Sequence, residues 1–193
     1  MSGTLKIIAF AGSAREGSFN KKLVKLAARG ASSEGLEVTY LDFRELPLPL
    51  FDEDLESREG LPENVLKLKS LLKEHQGFLI SCPEYNSSIT PLLKNAIDWA
   101  SRPAPDEPGL ACFRDKVAAL TAASPGGLGG LRGLVHVRAI LENIGVFVIP
   151  DQKAIPGAHE AFDEKGDLKD WKQQEAILAI GAKLARTVKK LHA

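Results

Sequence analysis

Three short segments of this chain carry residue types that bind phosphate groups and flat heterocycles. They read GSAREGSFN at residues 12–20, PEYNSSITP at 83–91 and SPGGLGGLRG at 124–133. Each segment directly follows an apolar run and precedes an amphipathic pattern. Loops that leave the carboxyl ends of buried strands hold the ligand in many α/β proteins, so these segments are the candidate functional residues.

The first segment predicts a phosphate site. We expect Ser18 to cap a helix that begins near Phe19, with Asn20 in the first turn. The unpaired N–H groups and the positive end of the dipole at such a helix start favour an anion. Ser13 and Ser18 add hydroxyl donors, and Arg15 adds a planar, permanently charged fork. The alternative is an ordinary strand–helix connection that is capped by Ser18 and leaves Arg15 in solvent.

The second segment predicts contacts to the edge of a ring. Asn86 can present both a donor and an acceptor to a heterocycle, and Tyr85 offers an aromatic wall with a polar tip. Pro83 fixes the backbone direction directly after a buried strand. The alternative is a simple turn that contains a partly buried Tyr85, with Glu84 as a surface charge.

The third segment predicts close approach of a ligand to the backbone. Gly126 and Gly127 follow Ser124 and carry no side chains, so a flat ligand can reach their N–H groups. A second glycine pair, at 129 and 130, comes soon after them. The alternative is a flexible connection, which so many glycines at the end of one strand make less attractive.

Apolar runs and helical patterns alternate along the chain and would position these segments. The runs predict five strands, at residues 5–11, 36–42, 77–82, 116–123 and 146–150. Helical patterns lie near residues 19–30, 65–72, 90–101, 131–143 and 178–191, and the Pro-rich, acidic stretch 43–62 is predicted to be a loop. Such alternation predicts a parallel sheet with helices on both faces. The strand count is typical of a flavodoxin-like three-layer α/β sandwich of order 2-1-3-4-5, in one domain over residues 1–193, and in that order the three segments are neighbours.

Composition disfavours several classes of function. Lysines plus arginines number 25 and aspartates plus glutamates number 25, so the basic excess of a nucleic-acid-binding protein is absent. Cys82 and Cys112 lack metal-ligand spacing, and the four histidines lie in unrelated segments, so we expect no metal site, disulfide framework or histidine-based triad. The cysteine usage fits a reducing cytoplasm. No apolar run approaches the length of a membrane-spanning helix, about 20 residues.

The ligand that fits all three segments is a phosphomonoester joined to a flat heterocycle, and FMN is that ligand. The alternative is a dinucleotide: Gly12, Ala14 and Gly17 occupy the three places of the fingerprint G-x-G-x-x-G, and Asp42 ends the second strand, where a ribose-binding acid belongs. The middle glycine is absent, however, and Arg15 would crowd a pyrophosphate. Five strands also leave the second mononucleotide-binding half incomplete.

Together the segments resemble the NADPH-dependent FMN reductase family, a flavodoxin-like group that includes bacterial quinone, azo-dye and chromate reductases. The matching stretches are GSAREGSFN, PEYNSSITPLLKNAIDW and SPGGLGGLRGLVHVRAILENIGVFVIPDQ, which follow one another along most of the chain. The resemblance implies bound FMN and assigns its binding to Ser13, Arg15, Ser18, the backbone of Phe19, Asn20, Pro83, Glu84, Tyr85, Asn86, Ser124, Gly126 and Gly127.

The resemblance also implies an enzyme. It would pass hydride from NAD(P)H through the flavin N5 atom to a quinone or a similar acceptor, such as FMN, an azo dye or chromate, by ping-pong turnover. No side chain would act as a nucleophile, and Tyr85 would form a wall of the acceptor pocket. Members of the family are usually homodimers or homotetramers.

Two other functions are open at this stage. A flavodoxin-type electron carrier binds FMN without oxidising NAD(P)H itself, although the neutral net charge disfavours a carrier that docks by charge. The second is a non-enzymatic nucleotide-binding module on the same fold. The choice between NADH and NADPH is also open, with Arg44, Arg102 and Arg132 as candidates to contact the 2′-phosphate of NADPH.

Overall fold

A computed structural model describes residues 4–192 of the chain. The strands are β1 (Lys6–Ala11), β2 (Glu37–Leu41), β3 (Gly77–Ser81), β4 (Glu84–Tyr85), β5 (Ser88–Ile89), β6 (Val117–Ala123) and β7 (Phe147–Ile155). The helices are α1 (Phe19–Ser32), α2 (Glu53–Glu59), α3 (Glu63–Glu74), α4 (Pro91–Ser101), α5 (Leu131–Asn143), α6 (Ala158–Ala161) and α7 (Trp171–His192). No helix within the described range has the length and hydropathy of a transmembrane segment.

Five of these strands form one parallel sheet of order β2-β1-β3-β6-β7. The predicted order and the flavodoxin-like α/β architecture are confirmed, because β4 and β5 form a separate two-stranded hairpin. Every residue of β3 and of β6 is buried, as expected for central strands that helices cover on both faces. Strand β2 lies at the edge and has no fully buried residue, so it can carry the polar side chains of Glu37 and Thr39.

Successive side chains of each strand enter two apolar layers, one on either face of the sheet. Ile8 and Phe10 of β1 belong to the layer that includes residues of α3, α4 and α5. Ile7 and Ala9 belong to the layer that includes residues of α1 and α7. This packing holds the carboxyl ends of β1, β3 and β6 side by side, so the three polar segments leave the sheet next to one another.

Helices α1 and α7 pack so closely that their backbones touch. A Cβ atom at Gly30 would lie 2.0 Å from the carbonyl oxygen of Leu178, and one at Gly181 would lie 1.9 Å from that of Ala27. A side chain at either position would push the helices apart. The contact therefore requires both glycines, and it fixes the position of α1 on the sheet.

The stretch 43–62 contains helix α2, so its prediction as a loop is wrong in that part. The Asp52 carboxylate caps the helix by accepting hydrogen bonds from the N–H groups of Asp54 (2.8 Å) and Leu55 (3.3 Å). Three acidic residues in its first turn also stabilise the helix, because their negative charges lie at the positive end of the helix dipole. None of the helix is buried, which explains why no apolar stripe indicated it.

Strand β7 continues well beyond the predicted 146–150. Val148 pairs with Ala118, and after a register shift Gln152 pairs with Leu120. Pro150 lies in this bulge, where a strand tolerates a residue without an N–H group. The predicted strand ended at this proline, whereas in the structure the proline lies at an irregularity within the strand.

Candidate functional site

The three segments meet beyond the carboxyl ends of β1, β3 and β6 and line an open cleft of about 390 Å³. Small-molecule sites usually measure roughly 300–1,000 Å³. The lining residues are Ser13, Arg15, Ser18, Phe19, Asn20, Pro83, Glu84, Tyr85, Ala123, Ser124 and Pro125. The fold thus brings most of the predicted site residues together. Asn86, Gly126 and Gly127 are exposed and are not among the residues that line this cleft.

The start of α1 presents unpaired backbone donors at the cleft. The Ser18 carbonyl accepts hydrogen bonds from the N–H groups of Lys21 (3.1 Å) and Lys22 (3.3 Å). Helical pairing begins with these bonds, so the N–H groups of Phe19 and Asn20 have no partner within the helix. Ser18 takes the N-cap position, but its side chain makes no capping hydrogen bond. The expected side-chain cap is therefore wrong, and the Ser18 hydroxyl is not used by the helix.

The side chain of Asn20 is committed to the protein. Its Nδ2 donates to the Ala123 carbonyl (2.8 Å), and its Oδ1 accepts from the Ser81 hydroxyl (2.9 Å) and the Ala123 N–H (2.9 Å). Asn20 is only 4% exposed, so these bonds replace the hydration that the amide has lost. Asn20 thereby ties α1 to the ends of β3 and β6, and its backbone N–H is the group left for an anion.

Arg15 is held over an aromatic ring. Its guanidinium carbon lies 5.1 Å from the centroid of the Phe19 ring, which stacks in turn on Phe162 at 6.1 Å. Arg15 is exposed and forms no salt bridge within residues 4–192. A cation–π contact orients a guanidinium without neutralising it, so its charge stays available to a phosphate.

Three residues that support the site were not among the predicted ones: Ser81, Thr90 and Phe162. The Thr90 hydroxyl donates to the Gly12 carbonyl (2.7 Å) and so joins the first segment to the start of α4. Local signals existed for two of them, because Ser81 ends an otherwise apolar strand and Thr90 precedes a proline at a helix start. Phe162 has no such signal, since it reaches Phe19 only through the tertiary fold.

The second segment forms a hairpin, β4–β5, which was predicted only as a loop. Asn86 (φ 50°) and Ser87 (φ 68°) make its two-residue turn, with the positive φ angles that tight hairpins favour. Glu84 accepts a hydrogen bond from the Gly133 N–H (3.1 Å) and forms a salt bridge with Arg132 (2.9 Å). Glu84 therefore anchors the hairpin to α5, and its interpretation as a plain surface charge is wrong.

The glycines of the third segment divide into two pairs. A Cβ atom at Gly129 would lie 2.6 Å from the carbonyl carbon of Ile155, and one at Gly130 would lie 2.9 Å from the Ala122 Cβ. Both also have positive φ angles, so packing and backbone conformation require this second pair. A Cβ atom at Gly127, in contrast, would meet no atom within 4 Å. At Gly126 the Cβ atom would lie 3.7 Å from Ser124 Oγ, an ordinary contact, so Gly127 is the glycine of the first pair that borders open space.

Cys82, which lies two residues before the hairpin, is not set up as a nucleophile. Burial, with a smaller contribution from the charge of Glu84, raises the pKa of its thiol to about 12. The reactive form of cysteine is the thiolate, and this thiol stays protonated near neutral pH. Within the described part of the chain, no group of three or more His, Cys, Asp and Glu side chains could hold a metal ion.

A second open groove, of about 500 Å³, shares Ser18 with the cleft. Its lining is formed by Glu16, Ser18, Lys21, Lys22, Lys25, Tyr40, Asp42, Arg44 and Glu45. The Asp42 carboxylate lies 2.7 Å from Nζ of Lys21 and accepts a hydrogen bond from the Arg44 N–H (3.0 Å). Burial raises the pKa of this carboxyl, but the contacts outweigh burial and hold it below its usual range. The acid that a dinucleotide site would use is thus already paired.

Comparison with known proteins agrees with this geometry. Residues 5–160 match the model of a family described as NADPH-dependent FMN reductase. An NAD(P)H-dependent FMN reductase of Pseudomonas aeruginosa is 35% identical over 178 residues, covering 92% of this chain and 91% of the relative. An NAD(P)H:quinone oxidoreductase of Solanum tuberosum is 36% identical over 181 residues, covering 91% and 89%. The solved structure of the flavoenzyme NAD(P)H:(acceptor) oxidoreductase FerB from Paracoccus denitrificans has a TM-score of 0.80 and 27% identity, covering 96% of this chain and 98% of that one.

Proposed function

Because the chain belongs to the NADPH-dependent FMN reductase family, we propose that it uses bound FMN to pass hydride from NAD(P)H to a quinone or a similar small acceptor. One observation supports this most directly: a helix start with free donors, a polar hairpin and the start of the loop after β6, at Ser124 and Pro125, converge on one cleft. In open α/β sheets, ligands bind at this edge, beyond the carboxyl ends of the strands.

The donors of the first segment fit the phosphate end of FMN. The backbone N–H groups of Phe19 and Asn20, the Ser18 hydroxyl and the Arg15 guanidinium can all donate to phosphate oxygens. The Ser13 hydroxyl accepts a hydrogen bond from the Arg15 N–H (3.3 Å) and so helps to shape the turn that presents the guanidinium. Arg15 supplies the positive charge that a dianionic phosphomonoester requires.

The hairpin and the glycine-rich loop fit the ring end. The open space beside Gly127 lets a flat ring approach the backbone, whose N–H groups stabilise negative charge on a reduced ring. Tyr85 is 54% exposed next to the cleft and forms a wall of the acceptor pocket. When bound, FMN supplies hydride acceptance from the nicotinamide and hydride transfer to the acceptor at its N5 atom.

The protein's own part in this chemistry is to bind and orient. Cys82 stays protonated and Glu84 is held by Arg132, so neither side chain is free to act as a nucleophile or base. We therefore propose ping-pong turnover, in which the nicotinamide and the acceptor use the same open cleft in turn. Such a cleft selects weakly among flat or small acceptors, so free FMN, azo dyes and chromate belong to the proposed range.

Anaerobic spectroscopy of the FMN-loaded protein tests the proposal. NADPH or NADH should bleach the flavin absorbance, and a quinone added afterwards should restore it. Steady-state rates at several fixed quinone concentrations should give parallel double-reciprocal lines, whereas intersecting lines would contradict ping-pong turnover. A protein that binds FMN but is reduced by neither coenzyme would be an electron carrier, and one that takes up no FMN would contradict the site.

The proposal includes a homodimer or homotetramer. Leu128, Leu131 and Val135 are 51%, 43% and 57% exposed and recur at helical spacing around the start of α5. A strip of exposed apolar side chains is typical of a contact between subunits. Light scattering should show a smaller assembly for Val135→Asp than for the native chain. Leu66→Asp, at an exposed position of α3, is the matched control and should leave the assembly unchanged.

The proposal also places the protein in the cytoplasm, with small molecules rather than nucleic acids or membranes as its other partners. Cys82 and Cys112 are both free thiols, as is usual in a reducing compartment. A formal net charge of zero provides no basic excess for a nucleic acid. Fractionation of the cells that produce the protein would test the compartment.

A further inference from the structure

We propose that Arg132 acts on the cofactor through Glu84: by neutralising this carboxylate, it prevents a negative charge in the cleft from opposing the reduction of bound FMN. Since it concerns the reduction of FMN, this inference rests on the proposed function. Arg132 itself is not among the residues that line the cleft, so it would be a positioning residue that sets the charge of its neighbour.

Glu84 is the one carboxylate among the residues that line the cleft. Its side chain is only 9% exposed, so water screens its charge weakly. The charge also helps to raise the pKa of the Cys82 thiol, so it acts on groups nearby in the fold. Negative charge beside a flavin ring opposes reduction, because the reduced ring is the more negative one. An unpaired carboxylate at this position would therefore make bound FMN harder to reduce.

Arg132 and the backbone of α5 occupy both oxygens of this carboxylate. Nε and Nη2 of Arg132 lie 3.0 Å and 2.9 Å from Oε1 of Glu84. The N–H group of Gly133 donates to Oε2 at 3.1 Å. Because a guanidinium is permanently charged, the first of these contacts cancels the negative charge of Glu84 rather than only satisfying its hydrogen bonds.

The start of α5 adds a second, weaker source of positive potential. Helical pairing begins with the bond from the Leu134 N–H to the Gly130 carbonyl (3.3 Å), so the N–H of Gly133 has no partner within the helix. The N-cap residue is Gly130, which has no side chain to cap the helix. Glu84 takes the place of the cap from another element and lies at the positive end of the helix dipole.

The hairpin has attachments to α5 that do not depend on Arg132. A Cβ atom at Gly133 would lie 3.4 Å from the Cβ atom of Glu84, so the absence of a side chain there lets the hairpin pack closely on the helix. Nδ1 of His136 lies 2.9 Å from the Ser88 hydroxyl, on the other strand of the hairpin. The charge of Arg132 can therefore be removed while the Gly133 and His136 contacts still hold the hairpin.

The midpoint potential of the FMN-loaded protein, measured by equilibration with a redox dye, tests the inference. Arg132→Ala leaves the Glu84 carboxylate unpaired and should weaken the binding of reduced FMN roughly 10-fold relative to oxidised FMN. For a two-electron couple, this ratio lowers the potential by about 30 mV. Glu84→Gln keeps an acceptor for the Gly133 N–H but leaves Arg132 positive and unpaired, so the potential should rise instead.

Three further measurements separate charge from attachment. The double variant Glu84→Gln/Arg132→Ala carries neither charge, and its ratio of reduced to oxidised FMN affinity should return to within about 2-fold of the native ratio. Arg132→Lys keeps the charge and should also stay close to the native protein. Added salt should shrink the shift in Arg132→Ala, because mobile ions screen an unpaired charge. Lys67→Ala is the matched control, since it removes an exposed cation that pairs with Glu63 outside the cleft.

The outcomes distinguish this inference from the proposed function. If Arg132→Ala weakens the binding of oxidised and reduced FMN equally, the potential is unchanged and Arg132 only attaches the hairpin, which overturns the inference. A shift in the double variant as large as that in Arg132→Ala would overturn it as well. Both results leave a protein that binds FMN and is reduced by NAD(P)H. A native protein that takes up no FMN would contradict the proposed function and this inference together.

Discussion

At the carboxyl ends of the strands, the cleft keeps unpaired donors and an unpaired charge, whereas near the opposite end of the sheet the buried charges form ion pairs with one another. At the cleft, the Ser81 hydroxyl donates a hydrogen bond to the Asn20 side chain, so these two groups are paired. Beside them, the Ser18 hydroxyl and the N–H of Phe19 are unpaired among the described residues. At the far ends of α3 and α4, the ammonium of Lys69 is 2% exposed, lies 2.8 Å from Glu107 and donates to backbone carbonyls.

The difference shows which buried polar groups indicate a ligand site. The Lys69 cluster includes Lys73 and Lys116, which pair with Glu107 and with a backbone carbonyl, so its charges hold a loop in place. A cluster of this kind resembles an active site by composition but has no spare donor. Two charged side chains line the cleft: Glu84, which pairs with Arg132, and Arg15, which is unpaired among the described residues. An unpaired charge at the cleft, rather than burial of charge, distinguishes the site from the scaffold. Buried oxygens without a hydrogen-bond partner are not confined to the site, since Glu107 Oε1 and Thr121 Oγ1 are among them.

Removing the ammonium of Lys69 should give the largest effect and should affect stability alone. Lys69→Met breaks a buried ion pair, which typically costs about 3–5 kcal/mol of unfolding free energy. Urea denaturation measures this loss, and the FMN dissociation constant of the folded variant should match that of the native protein. Lys73→Met is the control, because that side chain is 44% exposed and should cost less than about 1 kcal/mol. A loss of FMN affinity in Lys69→Met would contradict the assignment of the Lys69 cluster to stability alone.

Truncating Asn20 should affect both stability and binding, because this residue joins the scaffold to the site. Asn20→Ala leaves the Ser81 hydroxyl and both backbone groups of Ala123 buried and unpaired, at a cost of about 2–3 kcal/mol. FMN affinity should fall as well, since the start of α1 loses its attachment. Ser81→Ala removes only one of these bonds and should have a clearly smaller effect in both denaturation and FMN titration. Native-like FMN binding by Asn20→Ala would show that the attachment is not needed for the site.

Truncating Arg15 should affect binding alone. A charge-assisted hydrogen bond to a phosphate is worth about 1.5–3 kcal/mol, so Arg15→Ala should weaken FMN binding roughly 10- to 100-fold. Unfolding free energy should change by less than about 0.5 kcal/mol, because the side chain is exposed. Arg15→Lys keeps the positive charge but loses the planar guanidinium. In a fluorescence titration, its FMN affinity should lie between that of the native protein and that of Arg15→Ala. Unchanged FMN affinity in Arg15→Ala would remove this residue from the phosphate site.

The same contrast explains how far the sequence predicts the molecule. The strands and the edge that carries the site follow from apolar runs and from polar segments, because burial acts on each element separately. The strand order is inferred only from the number of strands, since no residue pattern encodes it. The hairpin turn at Asn86, the anchoring of Glu84 by α5 and the support of Phe19 by Phe162 depend on residues that meet only after folding. The pairing of Asp42 with Lys21 also forms only after folding. The sequence therefore could not show whether Asp42 is free to bind a ribose or is neutralised.

Titration of Glu107 should have the smallest effect on stability. It tests whether the lysines of the Lys69 cluster stabilise the carboxylate that they pair with. Burial raises the pKa of its carboxyl, but the hydrogen bonds from Lys69 and Lys73 outweigh burial and hold the pKa below its ordinary value of 4.5. The unfolded state therefore binds this proton more tightly than the folded state. The resulting stabilisation is complete above about pH 4.5 and is lost as the pH falls through the lowered pKa of the folded state.

Glu107→Gln cannot bind this proton, so its unfolding free energy should fall less steeply in acid than that of the native protein. Urea denaturation at several pH values from neutral to below 4.5 measures the two slopes. Glu63→Gln is the control: Glu63 also has a lowered pKa, through its hydrogen bond from Lys67, but this pair lies in solvent and contributes little. If the unfolding free energies of Glu107→Gln and of the native protein change equally with pH, the lysines of the Lys69 cluster do not stabilise the Glu107 carboxylate. The pairing of charges would then no longer distinguish the two ends of the sheet.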